Sequence, residues 1–284
     1  MIASLIAWIV VFLEAISLPA LSQPVPGPAT PAASTPQAAA PIAGERLAAV
    51  RARGRLQVCM WPEYFAISYR NPRNGALEGI DIDMARALAA RLGLPLHFVE
   101  TNFAEFMDRL ERGDCDVAMM AVGVLPARQA RVDFSRPTMA SPVYGVTSKD
   151  GPRITRWEDI DQPGIAVAVA AGTLMEPLMR QTLQRAELVV VSPPNTREAE
   201  VQAGRADLFM SDFPYTRRML LMHDWARIIE PPGRFGETAY AYAVPKGEAA
   251  WLAEVDAFVA AAKADGSLAA AAARHGLTPI LVRD

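Results

Sequence analysis

The sequence alternates strand-like and helix-like segments in one fixed order, and does so twice; no other feature limits the possible folds as much. In the first pass a strand at residues 55–60, in "GRLQVCMW", leads through the turn "NPRNG" to the helix "DMARALAARLG", the strand "LHFVE", the helix "AEFMDRLERG" and the apolar strand "DVAMMAV". Helical spacing puts Ala85, Leu88, Ala89 and Leu92 on one face, and the helix stops at Gly93, a residue that accepts a left-handed C-cap. The second pass reads "GIAVAVAAG", "TLMEPLMRQTLQRA", "ELVVVS", "REAEVQAG" and "ADLFMSD". Each β-α-β-α-β run, joined by right-handed crossovers, builds a parallel sheet covered on both faces. The fold class that follows is α/β, with two Rossmann-like lobes.

Laying "RGDCDVAMMA" over "AGRADLFMSD" matches Gly113 to Gly204 and Asp116 to Asp207, with an apolar strand after each. Ligands of open parallel sheets collect at the carboxyl ends of the strands. The third strand of the first run ends in "AVGVLPARQARVDFS", which carries Arg128; that of the second ends in "MSDFP", which carries Asp212. A cation and an anion at corresponding edges of two facing lobes suit a zwitterion. From spacing alone, Arg128 also reads as a surface residue of a short helix with Arg131, and Asp212 as an N-cap.

Function classes drop out next. A formal net charge of −3 over 284 residues, with no basic run, argues against nucleic acid as a partner. His97, His223 and His275 lie far apart and never at metal-ligand spacing, so no metal site is expected. No phosphate loop or Ser-His-Asp set accompanies them, and no cofactor is expected either. Residues 1–22, "MIASLIAWIVVFLEAISLPALS", read as a secretory signal ending in Ala20-Leu21-Ser22, which sends the chain to the periplasm. No basic residue precedes the apolar run and Glu14 interrupts it, so an uncleaved anchor is the alternative. Residues 23–44, rich in Pro and Ala, form an extended tether, and the globular part begins near Glu45. Cys59 lies late in the strand "RLQVCM" and Cys115 just before the strand "DVAMMAV"; if those strands are parallel neighbours, the two are several residues out of register. At ~3.3 Å per residue that offset exceeds a disulfide's reach, and two buried free thiols are expected.

Several segments, in this order and spacing, resemble the family 3 periplasmic solute-binding proteins, which serve polar amino-acid ABC importers. They are "GRLQV", "GALEGIDIDMARALAARLG", "ERGDCDVAMM", "PARQARVDFSRP", "AAGT", "AGRADLFMSD" and the closing "AYAVPKGEAAWLAEVDAFVAAAKADGS". The resemblance spans residue 45 to the end. It implies a hinged pair of lobes, the first made of residues 45–140 and 240–284 and the second of 141–239. Such a protein, a monomer, closes on an amino acid or related carboxylate and works with ABC permease membrane subunits.

In that family the arginine after the third strand grips the ligand α-carboxylate, and the matching residue is Arg128, whose planar fork meets a carboxylate with two hydrogen bonds. The carboxylate closing the second-lobe strand takes the ligand ammonium; here it is Asp212. Gly172 and Thr173, in "AGT", offer N–H groups and a hydroxyl to the ligand α-carboxylate. Tyr64, in "WPEYF", and Phe103, in "TNFAEF", match the aromatic walls, with Trp61 as an alternative to Tyr64. There are departures. The family's Thr three residues before the arginine is Leu125, and upstream hydroxyls are replaced by Met120, Ala121 and Gly123, which leaves backbone groups at Gly123 to serve and admits a more apolar ligand or a carboxylate without the amino-acid head. The second half also looks similar to a catalytic branch, the periplasmic cyclohexadienyl dehydratases. That branch carries a glutamate three residues beyond the aspartate, where this chain has Tyr215, so binding rather than catalysis is expected. The alternatives are a dehydratase and a ligand-sensing subunit for a separate membrane receptor.

Overall fold

A computed structural model describes residues 44–283 except Pro152; the expected signal and nearly all of the expected tether lie outside the described residues. Helix α1 (Arg46–Arg53) precedes β1 (Leu56–Met60), a small ribbon of β2 (Tyr69–Arg70) and β3 (Leu77–Glu78), then α2 (Ile80–Leu92), β4 (Leu96–Glu100), α3 (Phe106–Arg112) and β5 (Val117–Gly123). After them come α4 (Pro126–Gln129), β6 (Val132–Phe134) and β7 (Met139–Ser141). A second group follows: β8 (Val143–Ser148), β9 (Ala166–Ala170), α5 (Met175–Thr182), β10 (Glu187–Val191), α6 (Arg197–Gln202), β11 (Leu208–Asp212), α7 (Phe213–Met222) and β12 (Ala226–Ile229). The chain returns through β13 (Thr238–Pro245) and closes with α8 (Ala249–Ala264) and α9 (Ser267–Arg274).

These strands make two main sheets, one per lobe. The first runs β4-β1-β5-β13-β6, with β7 also on β13; the second runs β10-β9-β11-β8-β12. Each keeps the parallel trio that strand-helix alternation dictates, β1 between β4 and β5, β9 between β10 and β11. Each then adds an antiparallel neighbour, β13 on β5 and β8 on β11, which the parallel-only reading omits.

The matched aspartates do the same work in both lobes. Asp116 Oδ2 accepts the Gln57 N–H at 2.9 Å near the foot of β1, and Asp207 Oδ2 accepts the Ala166 N–H at 2.8 Å where β9 begins. Each also pairs with an arginine from the segment preceding its strand, Arg53 or Arg153. The matched glycines both sit at left-handed φ, 80° for Gly113 and 68° for Gly204, where a side chain would be strained.

Cys59 and Cys115 form a disulfide, their Cα atoms 5.5 Å apart, which corrects the expectation of free thiols. The register argument ran the line of β5 back to Cys115. The ladder pairs Val58 with Val117 and Cys59 with Ala118, and Cys115 lies in the connection ahead of it, where the chain leaves the strand line. The bridge is buried among Phe106, Leu110 and Val122. Closing a separation of 56 residues, it stabilises the first lobe by roughly 2–4 kcal/mol.

Helix α2 begins at Ile80, ahead of the expected start at Asp83, and this draws Asp81 into the core, where its Oδ2 accepts the Ala121 N–H at 2.7 Å. Burial pushes its carboxyl up to about 7, against the pull of the Ala121 N–H and the Tyr242 phenol. The folded chain therefore holds this proton more tightly than the unfolded chain, whose carboxyl titrates near 3.8. Stability is greatest below that lower value and declines as pH climbs towards 7, by roughly 4 kcal/mol in all. Asp81→Asn keeps a carbonyl acceptor and removes the titration, so the variant is expected to lose this slope when denaturant unfolding is compared at pH 5 and pH 8. An equal slope in both proteins would show that Asp81 does not titrate there.

Candidate ligand-binding cleft

Arg128 owes its position to Leu125, which stays extended at the end of β5, and to Pro126, whose fixed φ starts α4. One turn later the guanidinium lies buried, 4% exposed. Its Nη1 donates to Gly123 O at 2.9 Å and its Nη2 to Gly172 O at 2.8 Å, the latter in the opposite lobe. The rings of Phe103 and Phe106 lie 5.5 and 5.6 Å from it. Among the described residues no carboxylate lies within ion-pair distance of Arg128. Burial pulls its pKa down to about 10, so the charge persists at neutral pH.

Asp212 ends β11 and caps α7, its Oδ1 accepting the Tyr215 N–H at 3.3 Å. Besides capping α7, Asp212 faces the first lobe, where Oδ2 accepts the phenols of Tyr64 and Tyr240. Burial pushes the carboxyl up, while the two phenols and the Tyr215 N–H oppose the rise. Burial and the Asp212 charge together hold the Tyr64 and Tyr240 phenols well above their ordinary range.

Tyr64, Phe103 and Trp61 form one aromatic cluster with ring centroids 5.6 to 5.8 Å apart. They border a narrow cavity that Arg128, Asp212 and Thr173 also line. Gly123 and Gly172 enter through their carbonyls, as acceptors for Arg128. The donors expected of the "AGT" turn point elsewhere: the Gly172 N–H donates to Glu176 Oε2 at 2.9 Å, and the Thr173 N–H and hydroxyl both turn onto Ala170 O. Ala121, whose N–H is fixed by Asp81, lines the cavity at a left-handed φ of 48°, a conformation that costs a non-glycine residue about 1–2 kcal/mol.

Sequence reasoning missed Arg197, Ser211 and Tyr240. Arg197 opens α6 just after the Thr196 cap and is 5% exposed. Its Nη1 donates to Met210 O at 2.8 Å, and its guanidinium lies 4.6 Å from the Tyr215 ring centroid and 5.1 Å from that of Phe209. The signal was present: β10 is a parallel strand of the second lobe, and Arg197 follows its carboxyl end as Asp212 marks that of β11.

Two α/β lobes, with a buried arginine of one and a buried carboxylate of the other lining a common cavity, are the architecture of a two-lobed binding fold. The family model of the bacterial extracellular solute-binding proteins, family 3, matches residues 56–278, and the chain belongs to that family. A cyclohexadienyl dehydratase of Pseudomonas aeruginosa is 30% identical over 205 residues, 72% of this chain and 76% of the relative. The amino-acid-binding protein AabA of Dichelobacter nodosus is 28% identical over 216 residues, 73% and 82% of the two chains. Among solved structures, the ancestral amino acid-binding protein AncCDT-1, a precursor of cyclohexadienyl dehydratase, superposes with a TM-score of 0.72 at 29% identity, covering 80% of this chain and 98% of that one. Among the described residues no helix is long and apolar enough to cross a membrane, and no group of three or more His, Cys, Asp or Glu side chains is placed to hold a metal ion.

Proposed function

We propose that this chain captures a small carboxylate-bearing solute, an amino acid or a close relative, between its lobes on the outer side of the cytoplasmic membrane and delivers it to an ABC importer. The observation that carries the reading is Arg128, a buried cation whose fork ends on two carbonyls and has no carboxylate within ion-pair distance among the described residues. A buried charge without a counter-charge is costly, and an incoming carboxylate relieves that cost with two charge-assisted bonds. The ligand binds Arg128 on the first lobe, the second lobe swings in about the connections between β7 and β8 and between β12 and β13, and Asp212 receives the ammonium through the less engaged Oδ1. Closure is driven by whatever affinity the closed form adds over the open one. The relatives of the amino-acid-binding kind support this role.

A second reading, dehydratase activity, is favoured by the Pseudomonas relative. Elimination of water needs a proton donor at the cleft. The residue at the branch's glutamate position is Tyr215, a phenol that burial pushes up to about 12 and that Arg218 holds at 2.9 Å, a poor donor at neutral pH. Thermal-shift screening of the full chain against amino acids, keto acids and dicarboxylates, followed by mass analysis of each stabilising compound, separates the readings. A ligand at a hundred times its Kd adds about 2.7 kcal/mol, and the binder should return it unchanged. Conversion of the compound would move the chain to the dehydratase side, and no shift with any carboxylate would remove both readings.

A further inference from the structure

Resting on the solute-binding reading, we propose that Arg197 is a second anion-recognition residue and that the ligand carries two acid groups, the acidic amino acids being the simplest members of the class. Arg128 comes from the first lobe and Arg197 from the second, both are buried, and both line the same cavity. Among the described residues neither has a carboxylate within 4 Å. The carboxylate that lines the cavity with them, Asp212, is engaged by the Tyr64 and Tyr240 phenols on one oxygen and the Tyr215 N–H on the other. Next to Arg197 stands Glu198, held ionised by Arg197 and Arg218 together although burial acts against it. Arg218 in turn gives Nη1 to the Tyr215 phenol.

Lining this cavity, two arginines face one carboxylate, and one positive charge is left over. A ligand with two carboxylates and one ammonium has the matching net charge of −1, whereas a neutral amino acid leaves the surplus in place and a basic one adds to it. The Arg197 guanidinium is also presented in a defined plane: Met210 O holds Nη1, and the Tyr215 and Phe209 rings fix the remainder. A cation fixed in this way can meet a carboxylate with little loss of side-chain freedom on binding.

Titration calorimetry of the full chain with matched pairs tests this, L-glutamate against L-glutamine and L-aspartate against L-asparagine, with L-arginine as the opposite charge. An acidic member is expected to bind about tenfold or more tighter than its amide, the range a charge-assisted hydrogen bond supplies. Arg197→Gln is expected to shrink that ratio below about threefold while Arg197→Lys, which keeps charge and stem, retains the preference at lower affinity. Tighter binding of amides or of L-arginine by the unaltered protein overturns the proposal and leaves solute binding intact. Absence of binding by every compound in the panel overturns the proposal, and solute binding falls with it only if the thermal-shift screen also finds no stabilising carboxylate. An acidic preference that survives Arg197→Gln overturns the assignment to Arg197.

Discussion

Arg128→Met is expected to weaken binding of the captured carboxylate by about a hundredfold or more, because two charge-assisted hydrogen bonds worth ~1.5–3 kcal/mol each are lost together. Methionine is the informative replacement. It keeps an unbranched apolar stem between Phe103 and Phe106, the rings that flank the guanidinium, and it removes a buried charge that has no carboxylate partner among the described residues. The unliganded protein should accordingly keep its thermal stability, while the increment added by ligand disappears. Arg128→Lys separates charge from fork: the ammonium still offsets the carboxylate but presents a single compact donor, and an intermediate loss, about tenfold, is expected. Calorimetric titration of the three proteins with the compound found by screening gives the comparison. Full affinity in Arg128→Met would take this residue out of the site.

The residues legible from sequence are those whose place is set by position along a strand. Arg128 and Asp212 follow the third strands of two similar runs, and the rule that ligands gather at carboxyl ends locates both at the cavity. Tyr64 and Phe103 follow β1 and β4 in the same sense. What stayed hidden depends on direction within a turn or on contacts across the lobes. "AGT" announces a tight turn but not that its carbonyl faces outward while its N–H groups turn inward to Glu176 and Ala170. Arg197 follows the carboxyl end of β10 in the sequence, but its burial beside Tyr215 and Phe209 comes from the packing of α6 within the second lobe. Tyr240 arrives from β13, distant in sequence and antiparallel to β5, so no local pattern links it to Asp212. The disulfide was missed for a related reason: strand register is arithmetic only inside the ladder, and Cys115 stands outside it.

Gly172→Ala tests whether the cleft must shut to bind. Gly172 sits at φ 73°, and a Cβ built there would lie 2.8 Å from both the Cα and the N of Ala104, in the other lobe. Those are backbone atoms, so no rotamer change relieves the clash; the lobes must stay apart. Affinity gained on closure is then forfeited, and a loss of ~3 kcal/mol corresponds to about two orders of magnitude in Kd. Left-handed strain also penalises alanine at this position, by about 1–2 kcal/mol, but it acts in open and closed forms alike and so lowers folding stability without changing affinity. Gly204 supplies the control within the same lobe, since it has φ 68° and nothing within 4 Å of the added Cβ. Both variants should therefore melt at lower temperature, whereas only Gly172→Ala should bind weakly and fail to contract in solution X-ray scattering when ligand is added. Replacing Ala104 by glycine should not rescue it, because the contact is with main chain and not with the Ala104 methyl. If Gly204→Ala weakens binding as much as Gly172→Ala, backbone strain and not lobe contact is the cause, and closure loses its support.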